Sequence, residues 1–360
     1  MAVILAARRT AVVPRGGAFA RLSLEELAAP VIAAVLADAG LPAAMVDEVI
    51  AANALGAGGN PARRLALAAG LPERVAGLTI DRQCVGGLDA ILLARALVDS
   101  GAARIVLAGG VESYSRRPLR LATDPDGGPP LPYDQPPFTP WPGRDPDMTA
   151  AAAALADRLD LSRAAQEDWA AASHARALRA APQGIVALNG QEHDPFARAL
   201  RPGLLARAPV LAGSITAATA AVAADAAAFV LVAGDDLARP GALRLGPGRT
   251  LGAAPEEPGL APVPAIRAVL AEAGLVPADL TQVALMEAYA AQAMACARLA
   301  LAGLDPARIN PDGGALARGH PIGASGAVLA VELFHGLRAG PGVAAIAAAG
   351  GLGSALIVRR

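Results

Sequence analysis

The sequence predicts an α/β protein built from two duplicated halves, on the strength of two internal repeats and one break in composition. Residues 35–54 (VLADAGLPAAMVDEVIAANA) and 269–288 (VLAEAGLVPADLTQVALMEA) align without a gap at an offset of 234. Each reads as the end of a helix, a glycine stop and a buried strand. A second pair follows in the same order. Gly86 and Gly87 lead through an apolar helix to the strand ARIVLAGG, and Gly326 opens GAVLAVELFHGLRAGPGVAAIAAAGG; Gly86 to Gly110 and Gly326 to Gly350 are both 24 apart. Between the halves, residues 117–147 are rich in Pro, Gly and Asp and predict irregular, exposed loop.

Taken in order, MAVILAARRT is a buried first strand, and DRQCVGGLDAILLA turns from a short extended run into a helix. The excursion of residues 114–221 follows. Within it MTAAAAALADRLDLSRAAQEDWAAASHARALRA is amphipathic, with Ser162 as the N-cap of its second helix. The expected organisation is an N-terminal half of 1–113 and 222–245, a loop domain of 114–221 and a C-terminal half of 246–360.

At 360 residues the chain buries about three-quarters of its unfolded surface. Its 31 cations, all arginine, nearly balance 32 carboxylates, and no basic run is long enough for nucleic acid or an anionic membrane. Without lysine, Schiff-base chemistry and the P-loop are excluded. Two cysteines make no four-thiolate metal site and suit a reducing compartment, and four scattered histidines lack ligand spacing, so no metal is expected. The N-terminal apolar run precedes its arginines, the reverse of a signal peptide. The stretch AATAAVAADAAAFVLVA (217–233) carries Asp225 near its middle. A soluble, cytoplasmic protein is expected.

In the repeat frame the Cys84 turn and NPDGGALARGHPIGASGA (310–327) occupy related positions, each ahead of the helix in its half. Packing about a pseudo-twofold axis brings Cys84 and His320 together. The helix dipole and an imidazole base then make a thiolate accessible near neutral pH. Alone, Cys84 reads as a small apolar residue at a turn and His320 as a ligand of loop carbonyls; duplicated placement favours chemistry. Cys296, among apolar residues at helical spacing, belongs to the core. His174 and His335 are structural, and His193 lies in a solvated turn.

These residues resemble the thiolase family, end to end. RRT (8–10) resembles the opening V-R-T, DRQCVGGLDAI the nucleophile turn N-x-x-C-x-S-G-x-x-A-I, and GGVESYSRRP (109–118) the block G-G-x-E-x-M-S. SHARA, GSITAATAAVAADAAA (213–228) and EAYA (287–290) align with further blocks. Most specific is residues 310–327, close to N-x-x-G-G-A-I-A-x-G-H-P-x-G-A-S-G. The resemblance implies a five-layered α-β-α-β-α fold of two duplicated halves plus a loop domain, commonly dimeric or tetrameric. It also implies acyl transfer with coenzyme A and no permanently bound cofactor. Cys84 would carry the acyl group, His320 would activate the sulfur, and backbone N–H groups of Cys84 and Ala349 would form the oxyanion hole.

Departures concentrate on one part of that chemistry. Ala347 stands where C-x-G-G-G-x-G has its second catalytic cysteine, and Met286 where N-E-A-F has its asparagine. Thr219 and Ala221 replace the usual Asn and Ser, Ala221 near the expected pantetheine path, and Ala349 replaces a glycine. Acyl-cysteine formation survives these losses; carbon-carbon chemistry loses a proton carrier and a water-holding amide. Glu287 and Tyr289 are both open as substitute proton carriers. Arg116, Arg117, Arg120 and Arg144 of the excursion are candidate phosphate partners. The alternatives are an ordinary acetyl-CoA C-acyltransferase with a substitute acid/base, and a non-catalytic CoA-binding or partner subunit.

Overall fold

The computed structural model describes residues 1–56, 58–181 and 184–360. The first half runs β1 (Ala2–Arg9), α1 (Leu24–Ala39), β2 (Glu48–Ala52), α2 (Pro61–Ala68), β3 (Ala76–Ile80), α3 (Gly86–Asp99) and β4 (Ile105–Glu112). An excursion carrying α4 (Met148–Arg158) and α5 (Arg163–Arg179) intervenes before β5 (Ala224–Gly234) completes that half. The second half runs β6 (Leu243–Gly252), α6 (Pro262–Ala273), β7 (Gln282–Leu285), α7 (Ala290–Ala300), α8 (Ile322–Gly336), β8 (Pro341–Ala348) and β9 (Leu352–Arg359).

The repeat is visible residue by residue. Helix α1 stops at Gly40 (φ 57°) and α6 at Gly274 (φ 64°); each is followed by a single 3₁₀ turn, Ala43–Met45 or Pro277–Asp279, and then by a strand. A left-handed residue is what ends such helices, and glycine adopts it without steric cost. Strands pair in the order β7-β8-β9-β6-β1-β5-β4-β2-β3. In each half a parallel pair, β2 with β4 or β7 with β8, adjoins antiparallel strands. Among the described residues the strands of the two halves join between β1 and β6 through two ladder pairs, Val3 with Arg244 and Ile4 with Leu243.

Five layers follow from which faces are apolar. Helices α1 and α2 cover the outer face of the first half's strands, and α6 and α7 that of the second. Helices α3 and α8 lie between the two sets of strands, in one core cluster. Residues Gly323 to Val331 of α8 are all buried, the all-round burial of a central helix. Close crossing of α3 and α8 needs small residues. A Cβ on Gly326 would meet the Leu88 amide nitrogen at 2.3 Å, and one on Gly87 the Ala327 nitrogen at 2.7 Å. Gly326 thus lies inside its helix, which starts at Ile322, not at the opening expected from sequence. The helix begins earlier because the carbonyl of the N-cap Pro321 accepts from the Ala324 (2.8 Å) and Ser325 (3.0 Å) amides, and the glycines within it serve contact rather than turning.

Buried Asp89 on α3 ties this centre to the second half, accepting from Thr250 (2.5 Å) and Ser354 (2.8 Å) while pairing with Arg82 (2.7 Å). Asp147 caps α4 by accepting from the Thr149 and Ala150 amides, and Ser162 caps α5 as expected. No helix among the described residues is long and apolar enough to cross a membrane.

Candidate active site

Strand β3 ends at Ile80 and α3 begins at Gly86, so Cys84 sits on the turn between them. Gln83 takes φ 51°, unusual for a residue with a side chain. Asp81 holds that conformation, accepting from the Gln83 amide at 2.9 Å and from its side-chain nitrogen at 3.0 Å. A strand, a strained residue and a helix in succession project the next side chain from the scaffold.

His320 is positioned from the other half. Gly319, at φ 119°, lets the chain run beside β5's approach, where the His320 amide donates to the Val222 carbonyl at 2.7 Å. A Cβ on Gly319 would strike that of Ala224 at 2.7 Å. The result is a 3.0 Å contact between His320 Nε2 and Cys84 Sγ.

The other ring nitrogen fixes the tautomer. His320 Nδ1 lies 2.7 Å from Ser325 Oγ, and that hydroxyl donates to the Pro321 carbonyl at 3.2 Å. With its single hydrogen so used, Ser325 accepts from Nδ1–H. Nε2 is left with a lone pair facing the thiol.

Both groups rest neutral. Burial pushes Cys84 up to about 12; the Cys84 and Ala349 amides pull the other way, while the carboxylates of Glu112 and Asp81 add to the rise. Burial alone lowers His320 to about 4. The expectation of a thiolate standing ready near neutral pH is therefore corrected: low dielectric outweighs the helix dipole, and the base must take the proton as substrate reacts.

Beneath the pair, Glu112 crosses between the halves. It accepts from the amides of Ala54 (2.9 Å), Leu55 (3.2 Å) and Gly323 (3.0 Å) and from the Asn53 side chain (2.8 Å). Burial lifts its carboxyl to about 7 in spite of those donors.

A cavity of about 350 Å³ contains Cys84 and His320 and is walled by Ala347, Ala349, Ala221, Tyr114, Tyr289 and residues of α4. The fold thus gathers Cys84, His320, Ala347, Ala349 and Ala221. Met286 is buried beneath, in the central core, away from the cavity wall. The arginines do not line it either. Arg116 donates to the Arg21 carbonyl, Arg117 pairs with Asp134, Arg120 donates to the Ala54 carbonyl, and Arg144 forks onto Glu256 at 2.9 and 3.2 Å. The partners of Arg116, Arg120 and Arg144 lie outside the excursion, so membership of it did not reveal them, while Asp134 lies within it.

Of the two substitute proton carriers left open, Glu287 is committed elsewhere. It accepts from Ser173 (2.7 Å), Asn310 (2.9 Å) and Trp169 (3.1 Å) in a buried network. Tyr289 does reach the cavity, its hydroxyl 3.0 Å from that of Thr149. Sequence reasoning missed Tyr114, Glu112 and Ser325 as individual members, although each lies inside a block it had singled out.

The remaining candidates separate cleanly. Cys296 is buried in the outer core of the second half, and His335 Nε2 donates to the Ala7 carbonyl at 2.8 Å. His174 accepts the Arg198 amide at 3.2 Å, its pKa lowered to about 4 by burial. His193 is exposed. Among the described residues no cluster of His, Cys, Asp and Glu could hold a metal ion.

Known proteins resemble this chain over almost its whole length. The family model "Thiolase, N-terminal domain" matches residues 2–236, and "Thiolase, C-terminal domain" matches residues 244–360. A Bacillus subtilis (strain 168) protein named "Putative acetyl-CoA C-acetyltransferase YhfS" is 39% identical, over 99% of this chain and 98% of its own. The thiolase Acat5 of Ascaris suum, solved with coenzyme A, superposes with a TM-score of 0.92 at 27% identity, covering 100% of this chain and 99% of that one. Bacillus anthracis acetyl-CoA acetyltransferase gives 0.90 at 31% identity, covering 99% and 98%. With both family domains matched in order, and a cysteine and histidine from the two halves in contact, the chain belongs to the thiolase family.

Proposed function

We propose that this protein transfers acyl groups between coenzyme A thioesters through an acyl-Cys84 intermediate, and that its carbon-carbon chemistry is slow. One observation carries it: the 3.0 Å contact of Cys84 Sγ with a histidine whose other nitrogen is tied to Ser325. As the sulfur attacks the thioester carbonyl, His320 Nε2 takes its proton. The Cys84 and Ala349 amides, both bearing on the sulfur, would stabilise the tetrahedral oxyanion. The CoA sulfur leaves with the proton from His320, and a second thiol reverses the steps.

Joining or cleaving carbon-carbon bonds adds a proton transfer at the acyl α-carbon and an enolate to stabilise. The Ala347 side chain carries no exchangeable proton, and the Met286 side chain, where the resemblance expects an asparagine, has no N–H to hold a water. Losing one oxyanion donor costs about 3–4 kcal/mol, a factor of about 10²–10³. CoA serves as substrate with no resident cofactor. Strand β3, at the open end of the strand order with partly exposed residues, suits pairing with a second copy.

Intact-mass spectrometry after incubation with acetyl-CoA tests the reading. An adduct on the wild type that Cys84→Ala abolishes supports it. No adduct across a series of chain lengths sinks it and leaves a non-catalytic CoA-binding subunit.

A further inference from the structure

A carbon-carbon step here needs a wall residue that carries a proton, and position 347 has none. Glu287 is held in its own network and the Tyr289 hydroxyl is engaged by Thr149. Tyr114 differs from both. Its half-buried ring lines the same cavity as Cys84, His320 and Ala347, and its hydroxyl makes no hydrogen bond among the described residues. On the loop side the Arg117 guanidinium lies 5.9 Å from its ring centroid. Where the family block G-G-x-E-x-M-S carries methionine, this chain carries this phenol, so an apolar wall residue has become a proton carrier in a cavity that lost one. Burial above all raises its pKa, so the phenol holds its proton until a strong base such as an enolate forms.

We propose that Tyr114 is the proton carrier of the carbon-carbon step, an inference that rests on the acyl-Cys84 reading. In thiolysis of a 3-oxoacyl-CoA, the Cys84 sulfur bonds to C3 while its proton passes to His320. The C2–C3 bond breaks with its electron pair going to C2, and the acyl group stays on Cys84. C2 takes the Tyr114 proton and acetyl-CoA leaves. The phenolate then takes the thiol proton of incoming CoA, whose sulfur attacks the acyl-Cys84 carbonyl. The Cys84 sulfur departs and recovers its proton from His320.

Steady-state thiolysis of acetoacetyl-CoA, run beside single-turnover acylation by acetyl-CoA, tests this. In Tyr114→Phe and Tyr114→Met, kcat for thiolysis should fall by about 100-fold or more, in the range of general acid–base catalysis, while acylation of Cys84 changes less than about 3-fold. Thiolysis undiminished in both variants overturns the proposal, as does a wild type that acylates but never cleaves, or variants that lose acylation in parallel. A wild type that does not acylate refutes the underlying reading instead.

Discussion

Cys84 and His320, 236 positions apart in the chain, meet at 3.0 Å because two copies of one supersecondary unit face each other across α3 and α8. Each side chain leads into the helix of its own half. The pair is neutral at rest, with the thiol raised to about 12 and the imidazole lowered to about 4 by burial.

That protonation state has a measurable consequence. The rate of Cys84 alkylation by iodoacetamide should keep rising with pH through 10, with no plateau at the low pH typical of an imidazolium–thiolate pair. Peptide mass mapping separates Cys84 from buried Cys296. A rate that is flat between pH 5 and 8 refutes the neutral pair.

Ser325 sets which imidazole nitrogen faces the sulfur. Ser325→Ala should slow acylation by about 10-fold or more, short of the 10²–10⁴ for loss of an acid–base group outright, with Ser325→Thr retaining most of the rate. Equal rates in the alanine variant mean that the hydroxyl does not hold the tautomer.

Much of this arrangement was legible in the chain. The helix, glycine and strand repeat could be read because helix stops and strand alternation are local signals, and His320 could be read because its motif run is dense. The thiol's resting state could not: it depends on how much low-dielectric protein surrounds the sulfur, which no spacing encodes. Nor could the fates of the arginines, since Arg144 finds Glu256 and Arg120 finds the Ala54 carbonyl across the fold. Tyr114 has no periodic signature; the sequence shows only a phenol where the family block has methionine, and its place on the cavity wall comes from the fold.

Packing of α3 on α8 should be intolerant of a single methyl group. Gly326→Ala places a Cβ against the Leu88 backbone and should cost about 1–3 kcal/mol, the range for overpacking. Gly252→Ala, whose Cβ meets nothing within 4 Å, serves as the control. Chemical denaturation compares them, and equal midpoints contradict the tight crossing.

Asp194 joins the first strand to the excursion and to the His320 loop. It accepts two bonds from Arg9 at 2.8 Å, and Arg318 approaches it at 3.1 Å. Although burial raises its pKa, Arg9 and Arg318 together hold it below the ordinary value. A depressed folded pKa contributes stability above the unfolded carboxylate value of about 3.9. That contribution disappears as pH falls through the folded value. Asp194→Asn should therefore cost about 3–5 kcal/mol at pH 7, the range for breaking a buried pair, and the gap to wild type should narrow in acid. A gap independent of pH means that the carboxylate's charge is not what matters.

Ala347 offers the converse experiment, a gain rather than a loss. Its side chain lies on the cavity wall with Cys84 and His320, at the end of β8, where Ala347 pairs with Gly353 of β9. Adding one sulfur there changes little volume and supplies a proton carrier of lower pKa than a buried phenol. Ala347→Cys should raise the rate of acetoacetyl-CoA thiolysis by about 10-fold or more while single-turnover acylation of Cys84 stays within about 3-fold, because acylation needs no α-carbon proton. If cleavage does not improve, proton transfer is not what limits the carbon-carbon step.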